Sequence, residues 1–427
     1  MRTLPDGPLL AERYDALFLD LDGVVYRGDE VVALVRETLE QVRERGARVL
    51  FLTNNSSRTA EQVAGKLAGL GVVAARDEVL TSGLATAAML RRRGEDGKTA
   101  FVIGERGIRA ALEGVGIRIL DGEPERSDLV VVGWDRSVDY ARLRTASLLV
   151  QRGARLVATN ADASYPAPDG LWPGAGAILA AVTTTTGATP TVVGKPGRPL
   201  FEAALEVTGA ERPLVVGDRL DTDIRGAIAM GFDSLLVFSG ANRPADLVRS
   251  DDLPTYVARD LSVLLGDPPA GRFRPARAED AGPLRDLLRS SGLSDQELDG
   301  DRLGSTLLCY DGGAGDGGGE SMLGALPVAA ACLEDIGGYG LLRSVAVRAD
   351  ARAHGLGMLA VASATRSARA RGISHVSLFT ESAGPFFDRL GFSYVDREGL
   401  PEPVRTSHHA AEECAVTASP MVLTLRW

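Results

Sequence analysis

Short runs of buried-type residues recur through the first two thirds of this chain, and they end on polar residues or glycine: ALFLDLD, ARVLFLTNN, DLVVVGWD, ARLVATN, RPLVVGD and DSLLVFSG. Between them lie helix-length stretches with an apolar face, such as VVALVRETLEQVRERG and SRTAEQVAGKLAGLG. Strands alternating with helices predict an α/β fold, a Rossmann-like parallel sheet joined by crossover helices. In such sheets ligands gather beyond the C-terminal ends of the strands. That is where this sequence puts Asp20, Asp22, Thr53, Asn54, Asn55 and Asp218.

At 427 residues the chain is long for one domain. Between Thr53 and Lys195 lies a stretch with strands of its own, including KTAFVIGE. It reads as an α/β insertion over 82–191, which splits the host domain into 1–81 and 192–265. GDPPAGR then reads as a linker, 266–271. A last domain, 272–427, opens with a strand, a turn and a helix, FRPARAEDAGPLRDLLRSSG, and closes on PMVLTLRW. Within it, Asp311 to Ser321 is glycine-rich and polar, which predicts a mobile loop.

The net charge of −10 argues against nonspecific binding to nucleic acid or to an anionic membrane. The N-terminal stretch has no apolar run of signal or membrane-spanning length, so the expected compartment is the cytoplasm. Cys309, Cys332 and Cys414 fit no metal-ligand or disulfide spacing and read as buried thiols. Of the 47 basic residues only Lys66, Lys98 and Lys195 are lysine, so a lysine inside a motif carries weight.

Asp20 and Asp22 lie two apart at a strand end, and positions two apart share a face. With Asp218 at the end of another strand they predict a dense negative site. A hard divalent cation with oxygen ligands, Mg²⁺, relieves that repulsion and draws in a phosphate. Thr53 can donate to a phosphate oxygen, and Lys195 can offset developing charge. One carboxylate can attack phosphorus while the other moves the proton. Asp221 receives no role and reads as a solvated loop residue; TTTTGATP reads as a helix end and loop.

Asp20-Leu21-Asp22-Gly23-Val24, Thr53-Asn54-Asn55, Lys195 and Gly217-Asp218-x4-Asp223 together resemble the four motifs of the haloacid-dehalogenase-like phosphatases, over roughly residues 13–265. The long insertion is similar to a C2-type cap. The resemblance implies Asp20 as nucleophile and metal ligand. It implies Asp22 as general acid/base and as a metal ligand through its carbonyl, and Asp218 as a further ligand of Mg²⁺. Asp223 would support the metal shell or Lys195, and Thr53, Asn54 and Lys195 would hold the phosphoryl group. In the cap, Asp162, Tyr165, Trp172 and Gly174 of TNADASYPAPDGLWPGAGAI are the pocket candidates. A cap restricts leaving-group size, so the expected partner is a small-molecule phosphate.

In the last domain, SVAVRADARAHGLGMLAVASATRSA carries Arg352-x-x-Gly355-x-Gly357 at a helix start, a pattern suited to pyrophosphate. With FTESAGPFFDRLGFSYVDR it resembles the α+β GCN5-related N-acetyltransferases, which implies acetyl-CoA or CoA bound near Val345, Val347, Arg352, Gly355 and Gly357. Many of those enzymes carry tyrosine where this chain has Phe387, and phenylalanine cannot protonate a thiolate. A capped phosphatase joined to such a domain resembles the actinobacterial glycerol-3-phosphate phosphatases. This implies glycerol 3-phosphate or a similar small phosphate as substrate. The competing reading is an acyltransferase, or a CoA sensor, with an auxiliary phosphatase. A homodimer is left open.

Overall fold

The computed structural model describes residues 9–167, 169–294, 300–310, 327–407 and 417–425. The chain divides into two compact units. The first runs to Gly240 and takes in Asp260–Gly266; the second comprises Ala241–Arg259 and the chain from Asp267 onward. Segment 241–259 groups with the second unit by its contacts. One anchor is local. Arg369, 8% exposed, donates to the Val248 carbonyl at 3.0 Å and to Asp251 at 2.9 Å, while the Thr365 hydroxyl donates to Val248 at 2.7 Å. A guanidinium is buried only where its donors are met, so this segment is fastened to the helix Leu356–Ala370.

In the first unit, parallel strands lie side by side in the order Asp233–Val237, Pro213–Gly217, Ala16–Asp20, Val49–Thr53 and Val79–Thr81. Leu17, Phe18 and Leu19 are all fully buried, as strands covered on both faces require. Each such side chain contributes about 1.5–3 kcal/mol. The inserted portion has its own parallel sheet, ordered Thr191–Val192, Arg155–Ala158, Leu129–Val132, Thr99–Ile103 and Arg118–Leu120. One apolar cluster, including Phe18, Leu52, Val102, Leu129 and Phe201, runs through both sheets.

Two helices of the first unit take their starts from local contacts. Thr59 caps the helix Ala60–Gly69 by a reciprocal pair of bonds with Gln62, at 3.0 and 3.3 Å. The helix expected from Val31 instead begins at Val35. Val31 pairs with Tyr26 in a two-stranded ribbon, and Leu34 takes a left-handed conformation at φ 63° that stops the helix from extending backward.

The second unit holds a seven-stranded sheet in the order Arg274–Pro275, Thr306–Tyr310, Pro327–Ile336, Tyr339–Val347, His375–Thr380, Ser419–Thr424 and Ser393–Tyr394. It is antiparallel except between Tyr339–Val347 and His375–Thr380. Cys309 and Cys332 are buried thiols. Cys414 and the glycine-rich stretch Asp311 to Ser321 lie outside the described residues. Among the described residues no helix is long and apolar enough to cross a membrane.

Candidate active site

Three adjacent parallel strands end on the polar residues singled out above. Asp20 closes one strand and Thr53 the next, with Asp20 in register with Leu52. On the other side, Leu19 pairs with Val216, one residue before Gly217 and two before Asp218. Backbone geometry alone thus places Asp20, Thr53 and Asp218 at one sheet edge. Carboxylate oxygens of Asp20, Asp218 and Asp223 all lie within 4.8 Å of one another.

Asp223 arrives by a wide turn of helix. In Leu220–Ile224 the Ile224 N–H reaches back to the Arg219 carbonyl at 3.2 Å, an i→i+5 bond. Glycines make the room: a Cβ on Gly217 would collide with Asp223, and one on Gly23 or Gly240 with Asp218. Gly23 also adopts φ 84°, which a side chain would oppose. Its N–H bonds the Tyr26 carbonyl at 2.7 Å, turning the chain sharply after Asp22.

Lys195 is 4% exposed, and its Nζ donates to Asp20 at 2.6 Å and lies 2.7 Å from Asp223. Burial works against its charge, but Asp20 and Asp223 outweigh burial and hold its pKa above the ordinary lysine value. Asp20 is driven well above the usual carboxylate range, chiefly by burial; Lys195 opposes that shift, and Asp223 and Asp218 reinforce it. One ammonium does not balance three clustered carboxylates. An all-oxygen donor set with surplus negative charge fits a hard divalent cation.

Asp22 is open to water yet crowded by protein. Burial raises its pKa, against the charges of Lys66, Lys195 and Arg58. Thr53 is buried, and its hydroxyl accepts from the Asn55 N–H at 3.1 Å. Asn54 bonds the Lys195 backbone and the Asp162 carboxylate. Asp162 has a raised pKa from burial, opposed by the Asn54 bond and by Arg219 and Lys195.

The other cap candidates divide. Tyr165 stacks on Trp134 with ring centroids 4.3 Å apart, and the charges of Asp22 and Arg58 act on it. Trp172, 40% exposed, donates its indole N–H to Asp169 at 2.8 Å. Gly174 is a packing glycine, since a Cβ there would strike the Asp162 carbonyl. Among the described contacts neither Trp172 nor Gly174 reaches Asp20, Asp22, Asp218 or Asp223. Asp221 forms a two-point pair with Arg219 at 3.1 and 2.7 Å.

Sequence reasoning passed over Asn160, Ser82 and Lys66. The Asn160 amide and the Ser82 hydroxyl both donate to the Asn54 carbonyl at 2.6 Å. Lys66 sits 3.7 Å from the Tyr26 ring centroid and draws on Asp22. Its rarity was the available signal, because it is one of only three lysines.

In the second unit, Val345 and Val347 lie on Tyr339–Val347, which pairs with His375–Thr380 only through Gly340 and Leu341. Beyond those pairs Ser344 takes φ 52° at an irregularity in the strand. Gly355, at φ 80°, caps the helix Leu356–Ala370 and packs against Val257. Gly357 faces Phe386, and Arg352 donates to the Val347 carbonyl at 3.1 Å. Phe387 is buried between Phe386 and Phe392.

A family model of the haloacid dehalogenase-like hydrolases matches residues 17–118, and a HAD-hydrolase-like model matches 192–264. The chain is 37% identical over 251 residues to the 5'-nucleotidase YutF of Bacillus subtilis, covering 58% of this chain and 96% of that one. It is 38% identical over 260 residues to the D-glycerol 3-phosphate phosphatase of Mycobacterium tuberculosis, covering 60% of this chain and 73% of that one. The crystal structure of glycerol phosphate phosphatase Rv1692 from Mycobacterium tuberculosis with calcium superimposes with TM-score 0.71 at 29% identity, covering 91% of this chain and 100% of that one. The magnesium complex of the same protein gives 0.68, covering 90% and 98%.

Proposed function

Because this chain belongs to the haloacid dehalogenase-like hydrolases, we propose that it is a Mg²⁺-dependent phosphomonoesterase working through an aspartyl-phosphate on Asp20. The observation that carries this is the buried cluster of Asp20, Asp218 and Asp223 with Lys195 against it. Asp20, Asp218 and the Asp22 carbonyl would hold the metal, with Asp223 supporting them. When bound, Mg²⁺ screens these carboxylates and draws charge from the phosphoryl oxygens.

The protein's own groups then divide the work. An Asp20 oxygen attacks phosphorus as the bond to the leaving oxygen breaks, and Asp22 as a carboxylic acid gives that oxygen its proton. The raised pKa of Asp22 suits it to arrive protonated. In the second half, Asp22 takes a proton from water, whose oxygen attacks the phosphorus of the aspartyl-phosphate and frees Asp20 and phosphate. Lys195 and the Thr53 hydroxyl hold the phosphoryl oxygens in line.

The proposed substrate is glycerol 3-phosphate or a similar small organic phosphate. The Mycobacterium tuberculosis similarity supports it, as does the cap residue Tyr165, near enough for the Asp22 charge to act on it. The proposed divisions are a core of 1–81 and 192–265, a cap of 82–191 and an acetyltransferase-like domain of 272–427, in a cytoplasmic setting; the family-model match over 192–264 supports the second core segment. The test is phosphate release from a panel of small phosphates, with and without Mg²⁺, by wild type and Asp20→Asn. Undiminished turnover by Asp20→Asn would rule the mechanism out.

A second reading concerns the second unit. We infer a GCN5-related acetyltransferase-like domain that takes acetyl-CoA or CoA between the parting strands Tyr339–Val347 and His375–Thr380. The separation after Leu341 and Ser377 supports it, because it leaves strand backbone beside Val345 and Val347 for an amide-bearing chain. Phe387 offers no proton, so binding without transfer is the expected behaviour. Calorimetry with acetyl-CoA tests this.

A further inference from the structure

The Asn54 side chain is fully committed. Its Oδ1 accepts the Lys195 N–H at 2.7 Å. Its Nδ2 donates to the Lys195 carbonyl at 3.0 Å and to the Asp162 carboxylate at 3.1 and 3.3 Å. A carboxamide has two N–H bonds, and the Lys195 carbonyl and the Asp162 carboxylate account for both. Asn54 therefore grips the backbone of Lys195 on one side and the cap on the other. Gly194 is glycine for the same reason: a Cβ there would come within 2.6 Å of Asn54 Oδ1 and of the Thr159 carbonyl.

The cap is wired to the same point by further bonds. The Gly194 N–H donates to the Thr159 carbonyl at 2.8 Å, and the Thr159 hydroxyl meets the Ser56 hydroxyl at 2.9 Å. Asn160 closes on the Asn54 carbonyl, as described. Thr191–Val192, an edge strand of the cap sheet, leads directly into Gly194 and Lys195. The end of the cap strand Arg155–Ala158 is thus tied both to the loop after Thr53 and to the loop bearing Lys195.

Resting on the phosphatase reading above, we propose that Asp162 is a positioning residue that acts through Asn54 to fix Lys195, and that it does not select the leaving group. Its oxygens hold the Asn54 amide in the one orientation that serves both the N–H and the C=O of Lys195. Without them one amide N–H loses its acceptor, and the grip on Lys195 loosens. Lys195 Nζ stands 2.6 Å from Asp20, so its aim is tightly set. A misplacement of about 1 Å at a reacting centre can cost roughly 100-fold in rate.

The test compares glycerol 3-phosphate with methyl phosphate, whose leaving group is too small to reach a specificity pocket. In the full-length Mg²⁺-loaded protein, Asp162→Ala is expected to lower kcat on both substrates by about 10- to 100-fold, with KM changed less than about 3-fold. Asp162→Asn keeps an oxygen acceptor and is expected to restore kcat to within about 3-fold of wild type. Asn54→Ala combined with Asp162→Ala is expected to be no slower than Asn54→Ala alone, as members of one chain of contacts behave. A raised KM for glycerol 3-phosphate with kcat on methyl phosphate untouched would overturn the proposal and make Asp162 a specificity residue. So would a large loss in Asp162→Asn, which also decides the matter should the alanine variant fail to fold. Wild type inactive on every phosphate would instead overturn the phosphatase reading itself.

Discussion

Lys195 and Asp20 are 175 residues apart in sequence and 2.6 Å apart in space; Arg352, Gly355 and Gly357 of the second unit are near neighbours in sequence. In the first unit, residues from distant segments bring three carboxylates and an ammonium into a buried space. Folding alone gives no reason for that, since clustering like charges out of water costs stability. In the second unit, the fold accounts for each conspicuous residue. Gly355 supplies a left-handed helix start, and Arg352 satisfies a backbone carbonyl. A buried charge surplus therefore points to a ligand, whereas a glycine-rich turn is also what a helix start requires.

The largest effect belongs to Asp20, the proposed nucleophile. Asp20→Asn keeps the shape and removes the attacking carboxylate, so kcat is expected to fall on the order of 10⁴-fold or more. Single-turnover phosphate release checks it. Chelation of divalent metal should abolish turnover equally, with recovery on adding Mg²⁺. Activity persisting in chelator would remove the metal from the comparison.

Next comes Lys195→Arg, expected to lower kcat by roughly 10²- to 10³-fold with charge conserved. Nζ is confined between Asp20 and Asp223 at 2.6 and 2.7 Å, and a planar guanidinium is too wide for that gap. Near-wild-type kcat in this variant would show that charge alone suffices.

Much of the first unit is legible in sequence because its signals are local. Apolar runs ending in aspartate announce strands, and parallel pairing then puts their ends at one edge. The role of Asn54 is not legible this way. Its partners, Asp162 and the Lys195 backbone, lie 108 and 141 residues away, and an asparagine after a threonine expected to bind phosphate reads as a phosphate ligand. Trp172 stands out in the sequence by size, but although it lies opposite Tyr165 in the hairpin, Asp169 holds its indole N–H while Tyr165 stacks on Trp134. The bonds that fasten Val248 and Asp251 to the helix Leu356–Ala370 come from Arg369, one arginine among the many that the chain's composition supplies. Val31 looks like a helix residue until its pairing with Tyr26 is known.

A smaller effect tests the second unit directly. Acetyl-CoA is expected to bind by calorimetry while acetyl transfer to amines stays at background, because Phe387 has no proton to give. Measured transfer would show that a residue other than Phe387 supplies the proton. No heat of binding would leave the glycine turn as a helix start and nothing more.

The smallest effect sets a satisfied buried carboxylate against the crowded ones. Asp280 receives the Arg274 guanidinium at 2.7 and 2.8 Å and the Arg277 N–H at 2.7 Å, with the Tyr310 hydroxyl beside it. Burial alone would raise its pKa; these donors outweigh burial and hold it at about 2, below the roughly 3.9 of an unperturbed aspartate. A carboxyl group whose folded pKa is depressed stabilises the fold fully above its unfolded value, and that stabilisation is lost as pH falls through the folded value. The window here runs from about pH 4 down to about pH 2. Arg274 is 38% exposed, so solvent screening limits the contribution to about 1 kcal/mol. Hydrogen exchange in the helix Ala281–Ser290, corrected for intrinsic rates, reads it. Wild type should lose protection between pH 4 and pH 2, while Asp280→Asn should start lower at pH 5 and change little across the same range. Equal pH dependence in the two proteins would mean that Asp280 is not what links this helix to acid. Asp20, driven the opposite way by burial and by its carboxylate neighbours, marks the difference between a charge the fold satisfies and one that requires a ligand.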